Sequence, residues 1–274
     1  MQPFVERFFK YHGLGNDFVV LDRRASGVDV DADTSRRLCD RHFGVGADGV
    51  LTVLPHAGAA GRMVVHNADG SIAEMCGNGL RCVVKYVAER AGDHPARLDI
   101  ATGAGVLTSE LEWQAGQVER VTVAMGPARL SARSLPNGGP FVQQPIDGVI
   151  GTAVSMGNPH LVLLATPPAE AARLGPGLER HPLFVDRANV EFVEPRPEGG
   201  LRVTVWERGV GLTLACGTGA CAAVVASALA GQSPFDAWVP VELPGGRLEL
   251  RVAADLSQVW LRGPVRFGCE GVLP

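Results

Sequence analysis

A motif of one cysteine and two glycines occurs twice in this chain, each time just before an apolar run. The two copies are Cys76-Gly77-Asn78-Gly79 and Cys216-Gly217-Thr218-Gly219. A second repeat, Gly15-Asn16 and Gly157-Asn158, precedes each cysteine at nearly the same distance along the chain. Two repeats in the same order predict a duplicated structural unit that carries one cysteine in each half.

The composition is that of a globular protein and excludes several classes of partner. The chain has 274 residues, of which 46% are hydrophobic and 20% charged, and a net charge of −4. This charge gives no electrostatic footprint for nucleic acid. No apolar run is long enough for a membrane span, and residues 1–10 lack the pattern of a signal peptide. We therefore expect a soluble cytoplasmic protein that binds neither nucleic acid nor membrane.

The six cysteines are expected to be reduced thiols. A chain of this length can bury a full core without disulfides, and nothing in it indicates export. The spacings from Cys76 to Cys82 and from Cys216 to Cys221 are wider than the close pairs of a zinc site, so we expect no metal. The four cysteines outside the two repeats, Cys39, Cys82, Cys221 and Cys269, are interpreted as core residues.

The predicted elements favour an α/β (α+β) fold with two pseudo-symmetric domains, each a strand-rich sheet or barrel wrapped around a buried central helix. The central helices are predicted over 80–90 and 220–230, and the second is apolar on every face. The join is placed near Gly126-Pro127, giving a first half of 1–126 and a second of 127–264. A C-terminal strand, 265–274, is expected to return to the first half. A short helix is predicted over 33–41, and strands around 8–22, 50–54, 62–66, 98–101, 105–112, 118–124, 151–154, 160–164, 189–193, 201–206, 238–243, 247–252 and 259–262.

A cysteine immediately before a helix is suited to proton chemistry. The N–H groups and dipole at a helix N-terminus lower the pKa of a thiol, and the glycines that follow let backbone N–H groups approach a carboxylate. Two such thiols, one ionised and one protonated, can remove a proton from one face of a carbon and return it to the other. The repeat therefore points to racemisation or epimerisation without a cofactor.

Seven segments of the chain resemble the diaminopimelate epimerase family, and they follow the order of that family over nearly the whole length. The segments are 11–18, 67–71, 74–82, 157–160, 187–192, 206–209 and 215–221. The resemblance implies conversion of LL-2,6-diaminopimelate to meso-diaminopimelate, in lysine and peptidoglycan precursor biosynthesis. It also implies a homodimer with two pseudo-symmetric α/β domains and the site in the cleft between them.

The resemblance also implies a role for each matching residue. Cys76 and Cys216 correspond to the catalytic bases, and Glu207 and His160 to residues that support the reacting centre and its proton transfer. Residues that match the family's substrate-binding positions are Asn16, Asn67, Gly77, Asn78, Asn158, Asn189, Glu207, Arg208, Gly217 and Thr218. Their chemistry agrees, because amides both donate and accept, and a guanidinium forms a bidentate pair with a carboxylate.

The chain departs from the family pattern at two positions. Leu212 stands where the family usually has an acid, which puts local packing or an ion pair in doubt. Gly49 stands where some members place a glutamine near the substrate, so a side-chain contact there is lost or replaced by backbone.

Four other interpretations of the sequence differ in how well the residues support them. Residues 44–49 satisfy a dinucleotide-binding glycine pattern, but a helix precedes them and a strand follows, which is the wrong order. Neither lysine of the chain, Lys10 or Lys85, has the setting of a Schiff-base lysine. The enzyme alternative that remains is a proline or hydroxyproline racemase, although that group usually has a histidine where Asn78 stands. A thiol redox or metal-binding protein is the alternative of a different class.

Overall fold

The computed structural model describes residues 6–73 and 75–273. Glu74, which belongs to a matched segment, and Pro274, the end of the predicted C-terminal strand, lie outside the described residues. The described chain divides into two compact units. The first runs up to Val123 and resumes at Gly263, and the second is Ala124–Arg262.

The first unit is a sheet of mixed strands with two helices. Its elements are β1 Glu6–Gly13, β2 Asn16–Asp22, α1 Ala32–Cys39, β3 Gly49–Leu54, β4 Arg62–Asn67, β5 Ile72–Ala73, α2 Gly77–Ala91, β6 Arg97–Thr102, β7 Gly105–Gln114, β8 Gln117–Gly126 and β18 Arg266–Leu273. The strand order is β18-β1-β2-β3-β4-β6-β7-β8, with the short β5 paired to β4. Neighbouring strands are antiparallel except for the pairs β2–β3 and β4–β6, which are parallel.

The second unit repeats this topology strand by strand. Its elements are β9 Gln144–Ile146, β10 Val149–Ser155, β11 Pro159–Leu163, α3 Ala171–Glu179, β12 Asn189–Pro195, β13 Leu201–Glu207, β14 Gly211–Leu212, α4 Gly217–Leu229, β15 Val239–Leu243, β16 Gly246–Val252 and β17 Val259–Pro264. The strand order is β9-β10-β11-β12-β13-β15-β16-β17, with the short β14 paired to β13. The parallel pairs, β11–β12 and β13–β15, fall at the same two places in this order as in the first unit.

One helix lies in the core of each unit. Helix α2 packs against β1, β2, β3, β4 and β6, and helix α4 against β10, β11, β12, β13 and β16. Most of α2 and nearly all of α4 is buried, which agrees with the apolar character of α4 on every face. The predicted fold class, two pseudo-symmetric units each wrapped around a buried helix, is confirmed.

Two details of the helices differ from the prediction. Helices α2 and α4 begin at Gly77 and Gly217, three residues earlier than expected, because each cysteine caps the helix and draws the glycines into its first turn. Helix α3 was missed, since Gly175-Pro176-Gly177 reads as a turn. Gly175 lets α3 lie against Trp206, where an added Cβ would come within 2.6 Å of the indole.

In the part of the chain that the structure describes, none of the helices combines the length and apolar character needed to cross a membrane.

Candidate active site

Cys76 and Cys216 occupy the same position at the start of the two buried helices. Each is the N-cap residue, in extended backbone conformation, and each sulfur accepts a hydrogen bond from the backbone N–H three residues later, at 3.4 Å. The donors are Gly79 and Gly219. A helix N-terminus favours an anion at this position, so both sulfurs lie where a thiolate is stabilised.

The third residue of each helix is glycine, and a larger residue there would collide with side chains of the sheet unless those side chains moved. A Cβ at Gly79 would meet the side chain of Leu51 at 2.9 Å. A Cβ at Gly219 would meet Oε1 of Glu191 at 2.8 Å and Sγ of Cys216 at 3.3 Å. Each glycine thus packs its helix start against the middle strand of its own unit.

In the first unit, a chain of hydrogen bonds fixes two of the expected substrate-binding amides. Asn78 Nδ2 donates to Asn16 Oδ1 at 3.0 Å, and Asn16 Nδ2 donates to Asp48 Oδ2 at 2.9 Å. The buried guanidinium of Arg81 donates to Asn78 Oδ1 at 2.9 Å. Asp48 is held in turn by Arg41, at 2.7 Å. The orientation of both amides is therefore set by charged groups at the two ends of the chain.

Asn67 lies at the end of β4, opposite Gly49 in the register of the sheet. Its Nδ2 donates to Ser71 Oγ at 2.9 Å, and the residue is exposed. Within the first unit, the structure links Asn16 and Asn78 directly but places Asn67 outside that hydrogen-bond chain.

In the second unit, a continuous chain of contacts leads from a buried histidine to Cys216. His160 Nε2 lies 3.0 Å from Asn158 Oδ1, and Asn158 Nδ2 donates to Thr218 Oγ1 at 3.4 Å. Thr218 Oγ1 lies 3.6 Å from Cys216 Sγ. Four residues that the sequence singled out are thereby brought together.

Glu191, a residue for which the sequence predicts no role, completes this cluster. Its side chain and that of His160 are both fully buried, with Oε1 2.7 Å from Nδ1. The sequence does indicate that Glu191 is unusual, because it is the one charged residue within the apolar stretch 190–193. A charge in a fully buried strand requires a partner.

The remaining predicted residues of the second unit lie at the ends of β12 and β13. Asn189 Oδ1 accepts from the backbone N–H of Arg208 at 3.0 Å, and its Nδ2 donates to the carbonyl of Pro159 at 3.1 Å. Thr213 Oγ1 donates to Glu207 Oε1 at 2.6 Å. The Arg208 side chain is exposed and donates to the carbonyl of Asp186.

The surroundings of Cys216 oppose its ionisation. Burial raises the pKa of the Cys216 thiol well above its usual range, and the carboxylates of Glu207 and Glu191 raise it further. The Thr218 hydroxyl and the Gly219 N–H act in the opposite direction, since both hydrogen-bond to the sulfur. The pKa of Cys216 is thus set by two opposing influences: burial with the nearby carboxylates, and the hydrogen bonds to its sulfur.

The other four cysteines lie outside the repeated motif. None of the six cysteines, all of them among the described residues, is in a disulfide. Cys82 and Cys221 are fully buried inside α2 and α4, and burial raises the pKa of Cys82. Cys39 is buried as expected, but Cys269 is exposed, so its interpretation as a core residue is wrong. It lies in β18, whose residues 266–270 are all exposed.

Comparison with known proteins identifies the family. The family model for diaminopimelate epimerase matches residues 8–131 and 152–268. The chain belongs to the diaminopimelate epimerase family. It is 43% identical to the diaminopimelate epimerase of Synechococcus elongatus, over 94% of each chain, and 43% identical to that of Moorella thermoacetica, over 97% of this chain and 99% of the relative. The chain is thus an enzyme of the isomerase class.

Solved structures share the fold of this diaminopimelate epimerase family member at low sequence identity. A hydroxyproline epimerase from Agrobacterium vitis superposes with a TM-score of 0.71 at 16% identity, covering 99% of this chain and 91% of the other. A phenazine biosynthesis protein of the PhzF family from Bacillus anthracis gives 0.74 at 16% identity, covering 99% and 100%. These likenesses establish the fold alone.

The two departures from the diaminopimelate epimerase pattern have simple structural settings. Leu212 lies in the short strand β14 and is 53% exposed. Gly49 is packed so tightly that a Cβ would come within 2.7 Å of the carbonyl oxygen of His66. A glutamine at position 49 would therefore require the backbone to shift.

Proposed function

We propose that this enzyme converts LL-2,6-diaminopimelate to meso-diaminopimelate by a two-base mechanism that uses Cys76 and Cys216 and needs no cofactor. The observation that carries the proposal is the equivalence of the two cysteines. Each is the N-cap of a buried helix, each sulfur accepts a hydrogen bond from the same helical N–H, and the strand order around each is the same.

Inversion of a carbon centre requires one base and one acid. In the proposed reaction, one cysteine is a thiolate and takes the proton from the α-carbon, leaving a carbanion that is delocalised into the α-carboxylate. The other cysteine is a thiol and gives its proton to the opposite face of the carbon. The reaction ends with the protonation states of the two cysteines exchanged, so proton number is conserved.

The helix starts are suited to bind the α-carboxylate. The backbone N–H groups at Gly77 and Asn78 in one unit, and at Gly217 and Thr218 in the other, belong to the first turns of α2 and α4. Such groups attract a carboxylate and stabilise the negative charge that develops on it. The other proposed ligands of the zwitterionic substrate are Asn16, Asn67, Asn158, Asn189, Glu207 and Arg208, and His160 and Glu207 are proposed to support proton transfer.

The proposal includes the biological setting that goes with this reaction. The names of the relatives support a place in lysine and peptidoglycan precursor biosynthesis. A cytoplasmic location and a homodimer are part of the same proposal.

Hydrogen exchange tests the mechanism. LL-diaminopimelate is incubated in D₂O with the wild type, Cys76→Ala or Cys216→Ala, with reductant and no added cofactor, and NMR follows both deuterium incorporation and inversion. We expect exchange and inversion with the wild type and no inversion with either variant. Absence of exchange in the reduced wild type would refute the substrate assignment.

Two controls separate the alternatives. L-Proline and trans-4-hydroxy-L-proline test the racemase alternative, and we expect no exchange with either. Oxidation followed by reduction tests the redox alternative, because a two-thiol mechanism loses activity on oxidation to a Cys76–Cys216 disulfide and regains it with reductant. Oxidised protein that epimerises at the reduced rate would contradict the mechanism.

A further inference from the structure

Glu191 and His160 form a buried pair in which only one of the two carboxylate oxygens of Glu191 has a hydrogen-bond partner in the described part of the chain. Both side chains are fully buried, and Glu191 Oε1 lies 2.7 Å from His160 Nδ1. Glu191 Oε2 is buried and has no hydrogen-bond partner among the described residues. A buried carboxyl with one orphaned oxygen is costly to keep, so a role beyond packing is expected of it.

The hydrogen bonds of the histidine fix which atom of the next residue faces the cysteine. Both ring nitrogens of His160 face oxygen atoms, Nδ1 that of Glu191 and Nε2 that of Asn158. An amide oxygen only accepts, so Nε2 donates its proton to Asn158, and the proton at Nδ1 is shared with the carboxyl of Glu191. Without Glu191, the Nδ1 atom of the buried ring would lose its hydrogen-bond partner, and the ring would lose the contact that holds Nε2 toward Asn158.

The rest of the chain follows from the orientation of Asn158. Because its oxygen is held by His160, its NH₂ group points to Thr218 Oγ1. The Thr218 hydroxyl accepts from that NH₂ group, so its own proton is available to Cys216 Sγ, 3.6 Å away, when the sulfur is a thiolate. If the amide were reversed, Thr218 would donate to the amide oxygen and the thiolate would lose a donor.

We propose that Glu191 is a positioning residue for Cys216, acting through His160, Asn158 and Thr218 to keep a hydroxyl donor directed at the sulfur. The proposal rests on the proposed function only in taking Cys216 as a base. Among the described residues, the Glu191 side chain hydrogen-bonds to His160, and its positioning role is separate from the direct effect of its charge, which raises the pKa of Cys216.

The first unit shows that the fold does not require this pair. In the sheet register, His160 pairs with Asn189 as Phe18 pairs with Gly49, so Phe18 corresponds to His160 and Leu51 to Glu191. The first unit thus buries two apolar side chains where the second buries an acid and a base. Apolar residues at such positions are often at least as stabilising as a buried ion pair, so the charged pair is explained by the site and not by the fold.

The spectroscopic test uses protein labelled with ¹⁵N in the histidine rings at neutral pH, with the His160 signals identified by their loss in His160→Phe. In the wild type we expect Nε2 to be protonated and Nδ1 to share a proton. In Glu191→Leu one ring nitrogen should have the shift of an unprotonated imidazole nitrogen. Glu194→Gln, an exposed change on the same strand, should leave the His160 signals unchanged.

The kinetic test compares the same variants. We expect Glu191→Leu to lower kcat for diaminopimelate about ten- to hundredfold, the loss seen when a histidine that ligates a metal loses the partner that orients it. Glu191→Gln keeps the shape and one acceptor but cannot share the proton, so its kcat should lie between the two. KM should change less than kcat, and Glu194→Gln should match the wild type.

Each outcome decides the proposal. Identical His160 signals in the wild type and Glu191→Leu, or a folded Glu191→Leu with wild-type kcat, would overturn it. If the wild type does not epimerise diaminopimelate, the proposed function fails, and the ¹⁵N spectra still decide the role of Glu191. If Glu191→Leu does not fold, Glu191→Gln carries both measurements, and unchanged signals and kcat in that variant would count against the proposal.

Discussion

Glu191 occupies in the second unit the position that Leu51 occupies in the first. Each lies two residues after the first residue of its strand, β12 or β3, that pairs with the parallel neighbouring strand. Each also packs against the third residue of the buried helix of its unit. The duplication therefore kept the backbone and changed the charge. One half-site is apolar under its helix start, and the other holds an acid and a base.

Removing a neighbouring carboxylate and removing a hydrogen-bond donor should shift the pH dependence of Cys216 alkylation in opposite directions. Glu207→Gln removes a charge that raises the pKa of Cys216, so its alkylation by iodoacetamide should begin at lower pH than in the wild type. Thr218→Val removes a hydrogen bond that lowers this pKa, so alkylation should begin at higher pH. Mass spectrometry of the Cys216 peptide measures both profiles, with exposed Cys269 as the reagent control. Shifts of the same sign would contradict the assignment.

Gly219→Ala should damage both stability and catalysis. Its Cβ would be driven against Glu191 and Cys216, and overpacking of this kind costs about 1–3 kcal/mol of unfolding free energy. We expect urea unfolding to show that loss and kcat to fall at least about tenfold. Gly177→Ala in α3 is the matched control, because its Cβ meets nothing within 4 Å; it should be neutral or stabilising by about 0.5–1 kcal/mol. Equal effects at both positions would refute the packing argument.

Asp48→Ala should weaken substrate binding without touching the cysteines. Asn16 loses the acceptor that fixes its Nδ2, and a hydrogen bond to a charged group contributes about 1.5–3 kcal/mol. We expect KM for diaminopimelate to rise about tenfold, with a smaller change in kcat. Asp33→Ala removes an exposed carboxylate of α1 and should leave KM unchanged. A wild-type KM in Asp48→Ala would show that Asn16 needs no such support.

Leu212→Glu, which restores the residue usual in the family, should have little effect. The side chain is half exposed, and surface substitutions of this kind change stability by about 0.5 kcal/mol at most. We expect kcat and KM within about twofold of the wild type in the exchange assay. A large gain in activity would mean that the acid has a chemical role.

Replacing the buried pair by its first-unit counterpart should preserve the fold. His160→Phe alone leaves Glu191 without a partner and should lower the unfolding free energy by about 3 kcal/mol or more. His160→Phe with Glu191→Leu removes both polar groups and should recover most of that loss. Thermal and urea unfolding compare the two variants. A double variant as unstable as the single one would show that the pair is required for folding.

The longer strands and the two central helices could be predicted because they follow from apolar periodicity and from the repeat itself, whereas the short strands β5, β9 and β14 were not predicted. Helix α3 could not, because Gly175-Pro176-Gly177 carries the local signal of a turn and is held helical by packing against Trp206. The exposure of Cys269 could not be predicted either, since an isolated cysteine gives no indication that both faces of its strand are exposed.

The candidate site was predictable where a motif carries the chemistry. The two cysteines and the amides near them stand in recognisable segments, so their placement at helix starts could be anticipated. Glu191 is visible in the sequence as a single charge in an apolar stretch, but its correspondence with Leu51 follows only from the register of the two sheets. A contact such as that of Asp48 with Asn16 depends on a loop conformation that no periodicity encodes.

The pairing of β18 with β1 also sets an order of events during synthesis. The second unit is one continuous stretch, Ala124–Arg262, and can close its sheet as soon as that stretch has left the ribosome. The first unit is made earlier but lacks a strand until residues 266–273 emerge, so β1 has an open edge until then. The half of the enzyme that is translated first is therefore the half that is completed last.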